Sequence, residues 1–451
     1  MNDLKVVVLA AGQGTRMKSK VPKVLHRVLD KTMVDYVIDA AYEAGAEDVC
    51  VVVGHQSAMV KAMIGDRVKF AVQKEQLGTG HAVMQARDFI KPEDNVLILC
   101  GDTPLTTAET INKLYGIHKE NDNSVTVVSM IFDDPTGYGR VLRCDYEFDR
   151  IVEHKDATEE QKACKEVNSG VYIFKGDALL KAFDKLTNNN SQGEYYLTDT
   201  LEIIKNNGGR VGIMVADEPN EFLGVNSKLQ LSQATKVMQN RINTKLMLEG
   251  VTITDPDNTY IGKDVKIEAD TIIFPGCTLE GKTEIGSDCL IGPNTKITSS
   301  VVKNCVTIQQ SVLLNAEVDN YTTIGPFAYL RPNSKIGEHV KIGDFVEIKN
   351  STIDDGTKVS HLTYVGDSDV GKCVNFGCGT VTVNYDGKNK YRCEIGDNAF
   401  IGCNTNLVAP VKIEKNAYTA AGSTITKNVP EDSLAIARSR QENKEGWKKK
   451  N

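Results

Sequence analysis

Three stretches of this sequence carry side chains whose type and spacing could do chemistry. The first is Leu9-Ala10-Ala11-Gly12-Gln13-Gly14-Thr15-Arg16-Met17, directly behind an apolar run. Two glycines let a backbone approach an anion closely, and successive N–H groups can cradle a phosphate. Arg16 and Lys23 follow at once, two cations suited to a triphosphate. Neither standard nucleotide fingerprint is complete: one would need a third glycine at Met17, the other a Gly-Lys-Ser/Thr triplet. The second stretch is Gly101-Asp102, closing the apolar run Val96–Cys100. A carboxylate at a strand's carboxyl end can hold Mg²⁺ against phosphates, or simply cap the next helix. The third is His361, within Lys358-Val359-Ser360-His361-Leu362-Thr363-Tyr364-Val365-Gly366-Asp367. A lone histidine is more often structural than catalytic, so its meaning depends on what the fold brings beside it.

The elements that must position these groups follow two different grammars. Over residues 1–226, apolar runs at Lys5–Leu9, Val49–Val53, Val96–Leu99, Ser124–Ile131 and Val171–Phe174 alternate with helical patterns such as Met33–Ala44 and Gly80–Phe89. That alternation predicts an α/β, Rossmann-like domain with a mostly parallel sheet covered on both faces, and ligands beyond the strands' carboxyl ends. Residues 227–250 then read as a helical linker. Leu231, Ala234, Met238, Ile242 and Leu246 recur at steps of three or four.

From residue 251 to 451 the period is six. Ile261, Ile267, Ile273, Leu279, Ile285, Ile291 and Ile297 follow without a miss, and Val265, Thr271, Cys277, Thr283, Cys289 and Thr295 repeat four positions behind the first six. The frame slips near Val302 and Val318, resumes from Ile324 to Ile348, and returns at Ile395, Ile401, Leu407 and Ile413. A hexapeptide period suits a parallel β-helix, in which each apolar residue points inward and small residues turn the corners. Between Phe376 and Ile395 the repeat breaks, and the excursion contains Asn384-Tyr385-Asp386-Gly387.

Composition narrows the function classes. Hydrophobic residues at 41% and charged residues at 25% are enough for a buried core and exclude a disordered chain. Fifty-three Lys and Arg against 60 Asp and Glu give a net charge of −7, a poor match to nucleic acid. No apolar run reaches the ~18 residues a membrane span needs, so no membrane partner is expected. Eleven cysteines without a CxxC spacing point to reduced thiols and a cytoplasmic location.

The segment Leu9–Lys23, with Pro22-Lys23-Val24-Leu25, resembles the signature of the sugar-1-phosphate nucleotidyltransferases. Gln73-Lys74-Glu75-Gln76-Leu77-Gly78-Thr79-Gly80 extends the likeness as that family's nucleobase loop; Gly78 and Gly80 would clear space for a flat base, and Gln73 could pair with its edge. Gly137-Tyr138-Gly139-Arg140, Glu153-His154-Lys155, Asn168-Ser169-Gly170 and Gly193-Glu194-Tyr195-Tyr196 match its uridyltransferase branch. The resemblance implies UTP and UDP-sugar contacts at Leu9, Ala10, Ala11, Gly12, Lys23, Gln73, Gly78, Thr79, Gly101, Gly139, Glu153, Asn168 and Asn226. It further implies catalytic roles for Arg16 and Lys23, and a Mg²⁺ held by Asp102 and Asn226.

The six-residue repeat resembles the hexapeptide-repeat acyltransferases, which implies a left-handed coil. Arg331, Lys349, Tyr364 and Asn375 recur at separations that return to coils near His361, making a basic pocket for a sugar phosphate. An amine attacking a thioester must lose a proton, and a neutral imidazole suits that task, so His361 is assigned as general base. Together the halves resemble the family that fuses a sugar-1-phosphate uridyltransferase to an N-acetyltransferase. That likeness implies acetyl transfer from acetyl-CoA to glucosamine-1-phosphate, then uridylyl transfer from UTP, yielding UDP-N-acetylglucosamine for cell-wall precursors. Acetyl-CoA contacts map onto Asn384, Tyr385, Ala421 and Arg438, and the family's habit implies a homotrimer whose tail, Lys444–Lys450 with Trp447, packs on an adjacent subunit. Cys378, Cys403 and Cys100 stand where Ala, Ser and Tyr are usual. Two other readings compete: a nucleotidyltransferase whose β-helix is only regulatory or oligomerising, and a non-catalytic scaffold.

Overall fold

The apolar run ahead of the glycine turn becomes the central strand of a sheet. β1 (Leu4–Ala10) is buried at six of its seven positions, the mark of a strand covered on both sides. It pairs in parallel with β2 (Asp48–Val53) on one flank; β3 (Lys69–Val72) continues that side. β4 (Asn95–Cys100) pairs in parallel on the other flank. Beyond β4 lie β5 (Val125–Ile131), the hairpin β6 (Arg140–Cys144) and β7 (Glu147–Val152), β8 (Glu166–Lys175) and β9 (Val211–Val215). The main path runs β9-β5-β8-β4-β1-β2-β3, and β8 is antiparallel to both its neighbours. Because β1 sends its next two partners to opposite sides, the loop behind Ala10 opens at the point where strand order reverses, where a ligand crevice forms. The antiparallel β8 brings its own N-terminal half, with Asn168, to this same edge.

Helices cover both faces of the sheet. α1 (Met33–Glu43), capped by Thr32 accepting from the Asp35 amide, and α4 (Ala108–Glu120) bury Val34, Val37, Ile38, Ile111 and Leu114 against Val6 and Val8. α2 (Ser57–Ile64) adds Val60 and Ile64 to that side. α3 (Thr79–Met84), α5 (Gly176–Phe183) and α6 (Asp199–Asn206) put Val83, Leu179, Phe183, Leu201 and Ile204 on the opposite side, against Val7 and Val52. Each fully buried aliphatic contributes roughly 1.5–3 kcal/mol.

The computed structural model describes residues 3–449 and divides between Met238 and Gln239 into two compact units. That division falls inside α7 (Lys228–Leu248), close to the predicted helical stretch. Its second half is stitched into the second unit: the buried Gln239 and Asn243 amides donate to the carbonyls of Pro256 and Thr259, and Leu246 joins the second core.

The six-residue period becomes a prism of three parallel sheets, with 11, 10 and 9 strands. Strands adjacent in sequence belong to different sheets, and each pairs with the strand one coil later. The ladder of isoleucines thus separates into three stacks: Ile261 over Leu279 over Ile297, Ile267 over Ile285, and Ile273 over Ile291. The frame slip is a shortening of coils, Ile285 meeting Val302 and Ile297 meeting Leu313, so the inward stacks continue unbroken. Thr271, Cys277, Thr283 and Cys289 are fully buried. The Thr271 and Thr283 hydroxyls bond to the backbone carbonyls of Gly286 and Glu280, which offsets their desolvation.

The excursion is shorter than the sequence pattern indicates. Val381–Val383 is a regular strand, with Thr382 in the inward position over Leu407, and the chain leaves the prism only over residues 384–392. A threonine in place of an aliphatic residue hides this rung from hydropathy.

Candidate active sites

In the first unit the edge of the sheet gathers the predicted phosphate residues. The Gly101 amide donates to the Leu9 carbonyl (2.9 Å), joining the ends of β1 and β4 so that the glycine turn and Asp102 leave side by side. Lys23 sits in a short 3₁₀ turn (Lys23–Leu25) behind the glycine turn. Gly14 has φ +63°, and a Cβ there would lie 2.5 Å from the Lys23 Cβ, so only glycine lets the lysine stem pass. The Lys23 ammonium ends 2.5 Å from Asp102 Oδ2 and 3.0 Å from Asn226 Oδ1. The Val225 amide donates to the Asp102 carbonyl (2.9 Å), which fixes the Gly224–Asn226 turn against Asp102. Arg16 is exposed on the 3₁₀ turn after Gly14 and forms no ion pair among the described residues. Ala11 accepts from the His55 amide, while Gly12 and Gln13 are exposed with open space above Gly12.

The residues expected to contact the sugar form a second group at this edge. Asn168 donates to the Tyr172 hydroxyl (2.6 Å) and accepts from the Gly170 amide, bracing a bulge in β8. Its own amide donates to the Gly139 carbonyl. Glu153 faces Gly139 and accepts from Thr198 (3.3 Å); burial raises its carboxyl above the usual range, with Asp156 and Glu194 adding to the rise. Tyr172 carries no signal of its own in the sequence, since it reads as one more apolar strand residue. Tyr138, beside Phe132, has its hydroxyl pushed up by burial and by the charge of Asp102, against which Arg16 works. Cys100 donates to the Gly170 carbonyl, and burial, with Asp102 behind it, lifts its thiol to about 12. It is an inert neutral thiol.

Gly78 and Gly80 differ from expectation in their physical reason. Side chains there would strike the Tyr195 carbonyl at 2.6 and 2.9 Å, and the Gly80 amide donates to that same oxygen. The glycines clear room for the Glu194-Tyr195 backbone, not for a base directly. Gln73 is buried, with its amide nitrogen on the Gly78 carbonyl and 3.1 Å from His81 Nδ1, so it braces the loop. Thr79 accepts from the Leu197 amide, pinning α3 to the same segment.

In the second unit the coil period places Asp344 directly under His361, their strands paired in register. His361 Nδ1 lies 2.6 Å from Asp344 Oδ1, and that hydrogen bond holds the aspartate below the usual carboxylate range. With Nδ1–H donating to the carboxylate, Nε2 keeps its lone pair. Sequence reasoning misses Asp344, because a carboxylate 17 positions away is meaningful only once the coil length is known.

The corner behind His361 continues upward as a column. The Gly379 amide donates to Leu362 O, Asn404 to Cys378 O and Gly422 to Cys403 O. At about 4.8 Å per coil, Ala421 lies roughly 14 Å from His361 along one straight edge, and the Arg438 stem reaches the space above Gly422. Cys378 and Cys403 fill the intermediate rungs with their carbonyls engaged and free thiols.

Across the adjoining face, Tyr364 lies in register over Glu347, and its hydroxyl covers Gly366, where a Cβ would lie 2.2 Å away. Asn384 reaches both the Tyr364 hydroxyl (3.4 Å) and Asp367 Oδ2 (2.5 Å), while Lys349 approaches Asp367 at 3.6 Å. Burial pushes the Asp367 carboxyl up, but the Asn350 and Asn384 amides and the Lys349 charge together bring it below its ordinary value. Lys390, on the excursion, is lowered by the neighbouring Lys349; it joins the basic group, although nothing in its local sequence marks it. Arg331 pairs with Glu347 at 2.8 Å. Tyr385 is exposed and donates to the Gly387 carbonyl.

Asn375 stands apart. It is in register with Lys358, three positions before His361 and so about 10 Å along the strand, and no hydrogen bond joins it to the cluster among the described residues.

The donor chemistry of the first site fits a hard cation. Asp102 and Asn226 offer two oxygens that already converge on one positive group, the Lys23 ammonium. Mg²⁺ takes one or two protein oxygens and completes its shell with water and phosphate.

Among known proteins, residues 5–218 match the family model for nucleotidyl transferases. Residues 264–299, 315–350 and 392–427 match the bacterial transferase hexapeptide repeat. The bifunctional protein GlmU of Caldanaerobacter subterraneus subsp. tengcongensis is 59% identical over 448 residues, spanning 99% of this chain and 98% of the relative. Its counterparts from Thermoanaerobacter pseudethanolicus and Clostridioides difficile are 56% and 52% identical, with the same coverage. A nucleotidyl transferase sheet followed by a hexapeptide prism, matched along almost its whole length, makes this chain a member of the bifunctional GlmU family.

Proposed function

We propose that the two reactions of this family are divided between the two units, with the residues above as their machinery. The enzyme is a bifunctional transferase that makes UDP-N-acetylglucosamine from glucosamine-1-phosphate, acetyl-CoA and UTP.

In the second unit, Lys349, Lys390 and Arg331 hold the sugar phosphate while Tyr364 and Asn384 orient it. The amine attacks the thioester carbonyl of acetyl-CoA, its proton passes to His361 Nε2, and the coenzyme leaves as a thiolate that is then protonated. Asp344 keeps the imidazole in the accepting tautomer and stabilises the imidazolium. The corner column from His361 to Ala421 and Arg438 gives a straight edge for an extended coenzyme. The observation that carries this reading is the 2.6 Å His361–Asp344 pair at the rim of a basic, hydrogen-bonding group. A purely oligomerising prism has no use for it.

In the first unit, the sugar phosphate oxygen attacks the α-phosphorus of UTP and pyrophosphate leaves. Arg16, Lys23 and the amides of the Leu9–Gly14 turn bear the triphosphate charge, which is catalysis by positioning and electrostatics. Glu153, Asn168 and the Gly139 backbone hold the sugar. Mg²⁺, held by Asp102 and Asn226, would supply further charge neutralisation. Arg16 stands exposed and without an ion-pair partner among the described residues, as a phosphate-seeking cation should.

The working assembly is a homotrimer, and the compartment is the cytoplasm. Phe327 and Phe345 stack at 5.4 Å beside exposed Leu362 on the corner that carries His361, an apolar column apt for a neighbouring copy. Among the described residues no helix is long and apolar enough to cross a membrane, and all eleven cysteines are free thiols.

The test supplies glucosamine-1-phosphate, acetyl-CoA and UTP, and follows coenzyme A and pyrophosphate separately. Coenzyme A release without UTP, and pyrophosphate release that needs the acetylated sugar, are expected. Failure to consume acetyl-CoA would leave a prism that only oligomerises or regulates. Light scattering giving a monomer would remove the trimer.

A further inference from the structure

The Lys23 ammonium occupies the very fork in which Asp102 and Asn226 present their oxygens, 2.5 and 3.0 Å away. An ammonium and a divalent cation cannot share that space: their like charges repel and the two oxygens are already taken. The Lys23 stem passes beneath Gly14, where no side chain blocks it, and the turn ahead of it at Gly12 and Gln13 is exposed. Both the lysine and the aspartate side chains are largely buried, so in the absence of a cation the carboxylate would otherwise stand desolvated and unpaired.

We infer that Lys23 is a resident stand-in for the metal: in the free enzyme its ammonium fills the cation position, and on nucleotide binding it moves to the triphosphate as metal takes its place. This rests on reading Asp102 and Asn226 as the metal site. One side chain then has two sequential partners. It keeps Asp102 aimed before substrate arrives, and it makes metal affinity low until a triphosphate is present to receive the displaced charge. Metal and nucleotide therefore enter as a linked pair.

The experiment measures Mn²⁺ binding to the full chain without nucleotide, by the loss of the free-ion paramagnetic resonance signal. The wild type is compared with Lys23→Met, Lys23→Gln and Asp102→Asn, each checked for an unchanged melting profile. Lys23→Met and Lys23→Gln are expected to bind Mn²⁺ about tenfold more tightly than wild type, because the competing ion pair is gone. UTP is expected to tighten Mn²⁺ binding more in wild type than in these variants. Equal or weaker binding in the lysine variants, with binding still abolished in Asp102→Asn, overturns the stand-in while leaving the metal site intact. Binding unaffected by Asp102→Asn overturns the metal site itself. A measurement on the unmodified enzyme guards against misfolded variants: acylation of Lys23, followed by mass spectrometry, should accelerate when saturating Mn²⁺ is added. An unchanged labelling rate refutes the displacement.

Discussion

The two candidate sites are assembled by opposite means. In the first unit, Lys23, Asp102 and Asn226 are 79 and 124 positions apart in turn, and each comes from a different loop. They meet because β1 and β4 are neighbours whose carboxyl ends share an edge. In the second unit, Asp344 and His361 are 17 positions apart on the same corner of consecutive coils. The sheet brings distant segments together once, at one edge, so its site is made of irregular loops. The prism brings every coil's equivalent positions together, so its site is written over a repeat. A substitution in the first should disturb one convergence, and a substitution in the second one rung of many.

The sharpest break in that comparison is His361→Ala. Loss of a general base should lower acetyl transfer about 10²–10⁴-fold, with uridylyl transfer from supplied N-acetylglucosamine-1-phosphate unchanged; equal loss of both activities would deny the division of labour. Asp102→Asn is the mirror experiment. Pyrophosphate release should fall roughly 10²–10³-fold while coenzyme A release persists, and intact pyrophosphate release would remove Asp102 from the site.

Acid should also separate the units. His118 in α4 is buried with Nδ1 3.0 Å from the Thr126 hydroxyl. Burial, with the charges of Lys175 and Lys119, lowers it to about 4 from its ordinary 6.5. The folded protein therefore binds this proton less readily than the unfolded chain does. Its neutral form adds stability above pH ~6.5 that is lost as pH falls toward 4, about 3 kcal/mol at most. In the prism His339 and His361 are both exposed. Asp199, whose carboxyl burial raises to about 6, works with the opposite sign in the same unit, so the test is a difference. By calorimetry the first unit's transition should fall more steeply with decreasing pH in the wild type than in His118→Asn, and an identical pH slope in the variant would refute it.

The smallest expected effect sharpens the prism's site. Asp344→Asn cannot accept the Nδ1 proton as a carboxylate does, and acetyl transfer should drop about 10–100-fold, as carboxylate partners of a working histidine typically show. The drop should fall on kcat with KM for the sugar phosphate little changed. A rise in KM alone would recast Asp344 as a binding residue.

Legibility in the sequence follows the same division. The prism is visible from Ile261 to Ile297 because inward stacking demands an aliphatic residue every sixth position. It fades at Thr382, where a hydroxyl takes the inward place by bonding to the backbone around Gly366. The sheet is visible from its apolar runs, β8 among them through Val171–Phe174, but the antiparallel direction of β8 is not, since hydropathy carries no strand direction. Lys23, Asp102 and the glycine turn are readable as chemistry. Gly78 and Gly80 are readable as important, yet the reason is the Tyr195 backbone. Asp344, Tyr172 and Lys390 are invisible because each is defined by a neighbour across the fold.

Local physics, then, is what sequence alone determined: which residues alternate, which repeat, where glycine permits a close approach, and which side chains can carry charge or a proton. Tertiary structure decided the partnerships. It set an ammonium between an aspartate and an asparagine, and a carboxylate beneath an imidazole. Distances of 2.5–3.0 Å between atoms so far apart along the chain depend on strand order and coil length. Those are properties of the whole packed chain, and no short stretch of residues contains them.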